Sequence, residues 1–312
     1  MQGEYVQLPS GVVFARRLGG DGPPVVGVHG LGGSHLNWVP AGPYLQGHGS
    51  VSAFDLPGFG YSPPARSYAM ARHTDVAVEY LECLGSPALV LGNSMGALVA
   101  LMAAVRRPEL FSGLVLLAPA VAPEWGDPRI DRVVAKRLLL QGVPGLGVNL
   151  IEKYWLSTTA RQQIADTLAV VCHHPDRIPA DLELEALEMT EIRRRQPWAI
   201  EAIVRSGRAT GLAWARRREF ARTVASITIP VLVIQGEHDR VVAGSGPERL
   251  VELRPDWAHV VMEDVGHCPQ LEAPKEFAEL VSSWRAGQPA LASIASLGKA
   301  GRDLGELGQS RF

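Results

Sequence analysis

The chain has 312 residues, of which 46% are hydrophobic and 20% charged, and a formal net charge of -2. This composition describes an ordinary globular protein and excludes a disordered chain, while near-neutral charge removes the electrostatic case for a polyanionic partner, so no nucleic acid is expected. The length allows one large domain or a domain with an insertion. Cys83, Cys172 and Cys268 are few, odd in number and widely spaced, which argues against a disulfide framework and for a reducing compartment. The first residues lack a basic n-region and an apolar h-region, and no uninterrupted apolar stretch is long enough to span a bilayer, so a cytoplasmic location without an integral membrane segment is expected.

Residues 4–8 and 11–17 read as two strands around the turn residues Pro9-Ser10-Gly11. Pro23-Pro24 introduces Val25-Val26-Gly27-Val28, a run suited to a buried strand, which ends at His29-Gly30-Leu31-Gly32-Gly33-Ser34. The glycines let the backbone approach a ligand closely. His29, at a strand end, is read as a hydrogen-bonded structural residue, because a better candidate for a base lies downstream. Residues 36–45 are expected to be a short helix and 51–55 a strand, followed by a tied-down turn segment over 56–63. Asp55 is expected to hydrogen-bond the glycine-rich turns around it. Helical spacing covers 70–84, with Ala71, Val78, Leu81 and Leu84 able to share a face.

The run from Leu89 to Ala100 breaks at a serine between two glycines and resumes with helical spacing, placing Gly92-x-Ser94-x-Gly96 at a strand-to-helix turn. A serine in such a strained turn projects its hydroxyl away from the backbone, and the glycines let neighbouring chain pack closely. The turn also offers the N–H of Met95 at a helix N-terminus, where an oxyanion is welcome. Residues 114–118 form another buried-strand run. Strand alternating with helix up to this point predicts a largely parallel sheet covered on both faces.

From 120 to 225 the alternation stops. Helical spacing appears over 132–140, 159–171, 182–195, 199–205 and 212–224, which reads as a helical cap inserted into a core made of residues 1–119 and 226–285. Trp125, Tyr154, Trp155, Trp198 and Trp214 are candidates for lining a pocket under the cap, against the plainer reading that they are its own core. Arg193-Arg194-Arg195 and Arg216-Arg217-Arg218 are expected on solvated helix faces, and replacing Arg193, Arg194 or Arg195 by alanine is expected to leave ester hydrolysis nearly unchanged. His173-His174 resembles a metal-ligand pair, but Asp176 is the sole nearby partner at metal-site spacing and no metal is expected.

Strand-helix alternation then returns. Residues 229–236 form a strand, with Glu237-His238-Asp239 just past its C-terminal end, where ligands and catalytic groups of open α/β sheets collect. Residues 247–253 read as a helix and 258–262 as a last strand, followed by Val265-Gly266-His267-Cys268-Pro269 as a loop from which His267 can reach a neighbour. Residues 274–284 read as a helix with proline at its start. Residues 286–312 are rich in Gly, Ala and Ser and are expected to be a loosely attached tail.

The order Ser94, Asp239, His267, each after a different strand, together with His29-Gly30, the Asp55-Leu56-Pro57-Gly58-Phe59-Gly60 loop and the Gly266-His267 turn, resembles the α/β-hydrolase family with a helical cap over residues 10–285. The resemblance implies a mostly parallel central sheet flanked by helices, a Ser94-His267-Asp239 triad, and an oxyanion hole from the backbone N–H of Leu31 and Met95. Glu237 and Asp264 compete with Asp239 for the acid role, and Asp239 is preferred for the short turn separating it from its strand. Asn93, Trp125, Trp155 and Trp198 are the candidate substrate-binding residues. Ser94 needs a base, which the His267 imidazole supplies, and no cofactor is required. Serine in the elbow excludes the epoxide hydrolases and haloalkane dehalogenases, which need an aspartate there.

The leading expectation is a serine carboxylesterase or lipase acting on small-molecule esters with small to medium apolar acyl groups. The alternative is a carbon-carbon bond hydrolase of ring-fission products of aromatic catabolism, which Gly92-Asn93-Ser94-Met95-Gly96 resembles. Against it, the stretch after His29 lacks the glycine-proline-glycine usual in that group, and Cys268 stands where tryptophan is frequent. A non-catalytic binding protein, a proline iminopeptidase and a lactone hydrolase also fit the fold, and a homodimer is admitted without being specified.

Overall fold

The computed structural model describes residues 3–122, 127–143, 145–215, 217–242 and 244–287. Strands β1 (Glu4–Leu8), β2 (Gly11–Gly19), β3 (Pro24–Val28), β4 (Ser50–Phe54), β5 (Ala88–Asn93), β6 (Phe111–Leu117), β7 (Val231–Gly236) and β8 (Ala258–Met262) form one eight-stranded sheet in the order β1-β2-β4-β3-β5-β6-β7-β8. β1 pairs antiparallel with β2, and β2 with β4, while the other neighbours run parallel. β5, β6 and β7 are buried almost throughout because helices cover both faces, which is why they read as continuous apolar runs. The chain steps from β3 to β4 on one side and then crosses to β5 on the other, so the C-terminal ends of β3 and β5 border the crevice where strand order reverses.

Side-chain alternation along the strands feeds two cores, with Val26, Val28, Phe54 and Leu98 on one face and Val25, Trp38, Leu91, Val115 and Phe277 on the other. Gly27 interrupts β3 for a packing reason: a Cβ there would stand 2.5 Å from the Trp38 ring. The helix Met70–Cys83 buries Met70, His73, Thr74, Ala77, Tyr80 and Leu81, and Ala71, expected on that face, is exposed. The helix expected over 36–45 is instead a 3-10 turn, His35–Trp38, and one α-turn, Gly42–Leu45. Pro40 and Pro43 withhold the N–H donors that a continuous helix would need.

Between β6 and β7 the described chain is helical: Arg132–Gln141, Leu146–Ser157, Ala160–Val171, Ala180–Arg194, Ala199–Ala215 and Arg217–Ala225. Two of these differ from the sequence expectation. Leu146–Ser157 was hidden by Gly142, Gly145 and Gly147, which read as turn chemistry, yet Gly147 sits in the helix because a Cβ there would collide with the Gln141 carbonyl. Ala199–Ala215 runs ten residues beyond Arg205, through Gly207 and Gly211. Among the described residues no helix is long and apolar enough to cross a membrane. The expected tail lies, from residue 288 onward, outside the described residues.

Candidate active site

β5 delivers the chain to Ser94, which adopts φ 56 and ψ -117 before the helix Met95–Arg106 begins. A non-glycine residue held at positive φ costs on the order of 1–3 kcal/mol and persists when its surroundings over-determine it. Here Ser94 N–H donates to Leu117 O at 2.9 Å, and Ser94 O accepts from Ala97 N at 3.1 Å and Ala120 N at 3.2 Å. Both flanking glycines are sterically required. A Cβ on Gly92 would lie 2.6 Å from Ala97 Cα, and one on Gly96 would collide with Val28 O.

The loop after β3 runs beside this turn: a Cβ on Gly30 would stand 3.1 Å from Ser94 Cβ. Met95 opens its helix, so its N–H has no acceptor within that helix. The His29 ring is fully buried, with Nδ1 donating to Gly30 O at 2.8 Å and Nε2 accepting from Leu56 N at 2.9 Å. Burial lowers its pKa to about 4, so it is a neutral brace of the loop. Asp55, also fully buried, accepts from His35 N at 2.6 Å, from His35 Nδ1 at 3.0 Å and from Tyr61 N at 2.8 Å.

Asp239 and His267 meet at 2.8 Å, Oδ2 to Nδ1, both almost wholly out of solvent. Asp239 Oδ1 accepts from Val241 N at 2.8 Å and Val242 N at 2.9 Å, and Oδ2 also accepts from Gln235 Nε2 at 2.8 Å. A carboxylate with this donor set holds Nδ1–H of the imidazole and leaves the Nε2 lone pair outward. The other candidate acids are engaged elsewhere. Asp264 pairs with His174 and Arg177, which hold its carboxyl at about 2, and Glu237 accepts from Asp264 N at 3.2 Å.

Asn93 ties the serine turn to the histidine loop. Its Nδ2 donates to His267 O at 3.1 Å, and its Oδ1 accepts from Cys268 Sγ at 3.6 Å. The side chain is 2% exposed and committed to protein groups, which makes it a brace more than a surface for substrate. Trp155 and Trp198 are partly buried, and the indole N–H of Trp198 is enclosed without a partner among the described residues. Trp125 lies outside the described residues.

The helices between β6 and β7 touch this region at several points. His267 N donates to Val171 O at 2.8 Å, a Cβ on Gly207 would lie 3.2 Å from Leu31 Cδ2, and His73 Nε2 meets Ser206 Oγ at 2.9 Å. Arg193 corrects the sequence expectation. It is turned inward, donating from Nη1 to Gly32 O at 2.7 Å with its guanidinium carbon 6.0 Å from the Phe59 ring, and burial lowers its pKa. Arg194 holds Thr158 O at 2.9 Å, whereas Arg195 and Arg218 are exposed as expected.

One residue escaped the sequence reading. Glu272, 2% exposed, accepts from Gly266 N at 2.8 Å, His173 N at 3.1 Å and His174 N at 2.6 Å, so one buried carboxylate joins the histidine loop to the segment after Val171. Its sole sequence signal is a charge within Pro269-Gln270-Leu271-Glu272-Ala273-Pro274. The same junction brings Asp264 to His173 and His174, a partner that local spacing did not reveal.

Comparison with known proteins agrees with this architecture. The chain is 26% identical over 281 residues to Lipase 3 of Moraxella sp. (strain TA144), covering 88% of this chain and 81% of that protein. It is 29% identical over 281 residues to a pimeloyl-[acyl-carrier protein] methyl ester esterase of Xanthomonas axonopodis pv. citri (strain 306), covering 86% and 98%. The solved meta-cleavage product hydrolase from Pseudomonas fluorescens IP01 superposes with a TM-score of 0.67 at 21% identity over 91% of this chain and 98% of its own, a likeness of fold. The alpha/beta hydrolase family model matches residues 25–280, and with a mostly parallel eight-stranded sheet and a serine turn between β5 and its helix, the chain belongs to that family.

Proposed function

We propose that the protein is a serine hydrolase of carboxylic esters with small to medium apolar acyl groups. The observation that carries this reading is the Asp239–His267 pair at 2.8 Å, tied through Asn93 to the strained turn that bears Ser94. In the proposed mechanism His267 Nε2 takes the proton of Ser94 Oγ as the hydroxyl attacks the ester carbonyl, and Asp239 stabilises the imidazolium. The N–H groups of Met95 and Leu31 receive the oxyanion, an effect worth on the order of 3 kcal/mol for one such donor. His267 then protonates the departing alcohol, and water repeats the sequence on the acyl-enzyme.

Residues 120–225 act in this reading as a cap, with substrate entering between cap and core. The lipase and methyl ester esterase relatives support ester hydrolysis over carbon-carbon cleavage. The three cysteines are free thiols, which supports a reducing compartment.

The test is a panel of p-nitrophenyl esters of graded chain length beside one dienoate ring-fission product, run on the parent and Ser94→Ala. Ester turnover is expected to fall by up to about a millionfold in the variant with Tm unchanged, and an organophosphonate is expected to label Ser94 once. Unaltered esterase activity in Ser94→Ala, labelling of another serine, or a dienoate cleaved faster than any ester overturns the reading.

A further inference from the structure

At the junction of the inserted helices and the core, His173 and His174 follow the helix Ala160–Val171, and Asp264 lies between β8 and His267. His174 Nε2 is 2.8 Å and His173 Nε2 3.5 Å from the same oxygen, Asp264 Oδ1. The two imidazoles lie edge to face, 4.5 Å apart at 72°, so they approach that oxygen from different directions, and one donor atom from each residue falls within 4.8 Å of the others. Donor atoms around a tetrahedral zinc ion, each about 2.0–2.1 Å from the metal, stand roughly 3.3 Å from one another. The two distances to Asp264 Oδ1 bracket that value.

We infer that His173, His174 and Asp264 form a binding site for a borderline divalent cation, Zn2+ foremost, with a fourth position open to water. Two imidazole nitrogens and one carboxylate oxygen suit zinc and its neighbours in the first transition row, whereas Mg2+ and Ca2+ require oxygen donors. The surroundings orient each ligand as outer partners of metal sites do. Arg177 Nη2 holds the other Asp264 oxygen at 2.5 Å and Nη1 the Asp264 carbonyl at 3.1 Å. Asp176 Oδ1 faces His174 Nδ1 at 3.9 Å, on the ring edge away from Asp264. The His173 ring stacks on His238 at 3.9 Å, and Glu272 fixes the backbone of both ligand histidines. Asp264 itself is held at φ 58, a conformation that aspartate tolerates better than most side chains.

An ion here cross-links the segment after Val171 to the loop that carries His267. Its occupancy fastens the inserted helices to the core.

The experiment titrates chelator-stripped full-length protein with ZnCl2 by calorimetry near neutral pH, with MgCl2 as control and Tm followed in parallel. One ion per chain is expected, with a Kd of about 1 μM or tighter, no heat from Mg2+, and a Tm raised by roughly 4 °C at a hundredfold excess over Kd. His174→Ala and Asp264→Asn are each expected to weaken binding by at least about 30-fold. Asparagine keeps the shape and tolerates the left-handed backbone, so Asp264→Asn reads the ligand without disturbing the fold. Absence of zinc binding in the parent overturns the inference, even if both variants lose Tm, because the cluster is then a hydrogen-bonded fastening alone. Binding that survives both substitutions overturns it as well.

Discussion

Every oxygen lone pair of Asp239 is aimed at a donor: Val241 and Val242 N–H on one oxygen, Gln235 and His267 on the other. Asp239→Asn puts an amide NH2 against one of these donor sets, and the cheapest relief is for His267 to adopt the tautomer with Nε2 protonated, which disarms it as a base. Turnover of an ester is expected to fall roughly ten-thousandfold. Glu237→Gln, whose carboxylate faces Asp264 N and His238 among the described residues, is expected to stay within about threefold, since exposed charge pairs contribute little. Reversal of that ranking in kcat hands the orienting role to Glu237. The structure brings Asp239 rather than Glu237 to His267, and the sequence could favour Asp239 because a short turn after β7 is a local feature. Glu272 was illegible for the opposite reason: its three donors come from Gly266, His173 and His174, and segments nearly a hundred residues apart meet only in the fold.

The helix Ala180–Arg194 docks in a way that a charge count misreads. Arg193 and Glu185 belong to its polar complement, yet Glu185 pairs with Arg16 of β2 and Arg193 reaches Gly32 in the loop after β3. A run of three arginines looks solvated; which one turns inward depends on where the helix docks. Gly32 adjoins Leu31, so Arg193→Ala is expected to loosen the proposed oxyanion loop and lower kcat on an ester by about 10–100-fold, the cost of a hydrogen bond to a charged group. Arg194→Ala, which releases Thr158 among the helices between β6 and β7, is expected to leave kcat near the parent value. Equal kcat in both variants would separate Arg193 from the reaction. The strands and the long helices were legible because apolar period marks them directly. The broken 36–45 segment and the helix Leu146–Ser157 were not, since proline and glycine punctuation carries the same letters whether it ends a helix or fits inside one.

Across the whole molecule, the buried histidines set the acid limit. His29 and His73 are both held at about 4 from an ordinary value of 6.5, burial being the leading cause for each. The folded protein refuses protons that the unfolded chain accepts, so stability is full above about pH 6.5 and is lost as pH falls toward 4, by up to roughly 3 kcal/mol per histidine. Urea unfolding along that range is expected to show His73→Gln, which keeps a partner for Ser206, with a slope shallower by about one proton than the parent. An unchanged slope would mean that His73 is protonated alike in both states. The sheet order sets a limit of another kind, in time. β6 pairs with β7 through Leu114 and Val231, and more than a hundred residues, helical where described, intervene. On a ribosome adding about 5–20 residues per second, β6 waits roughly ten seconds with an open parallel edge before its neighbour emerges. Throughout that interval Ser94 is already made while Asp239 and His267 are not. Under the proposed mechanism the nascent chain is therefore mute as a hydrolase, and it is adhesive as a template, so its passage to the finished fold is a case for a chaperone that shields strand edges.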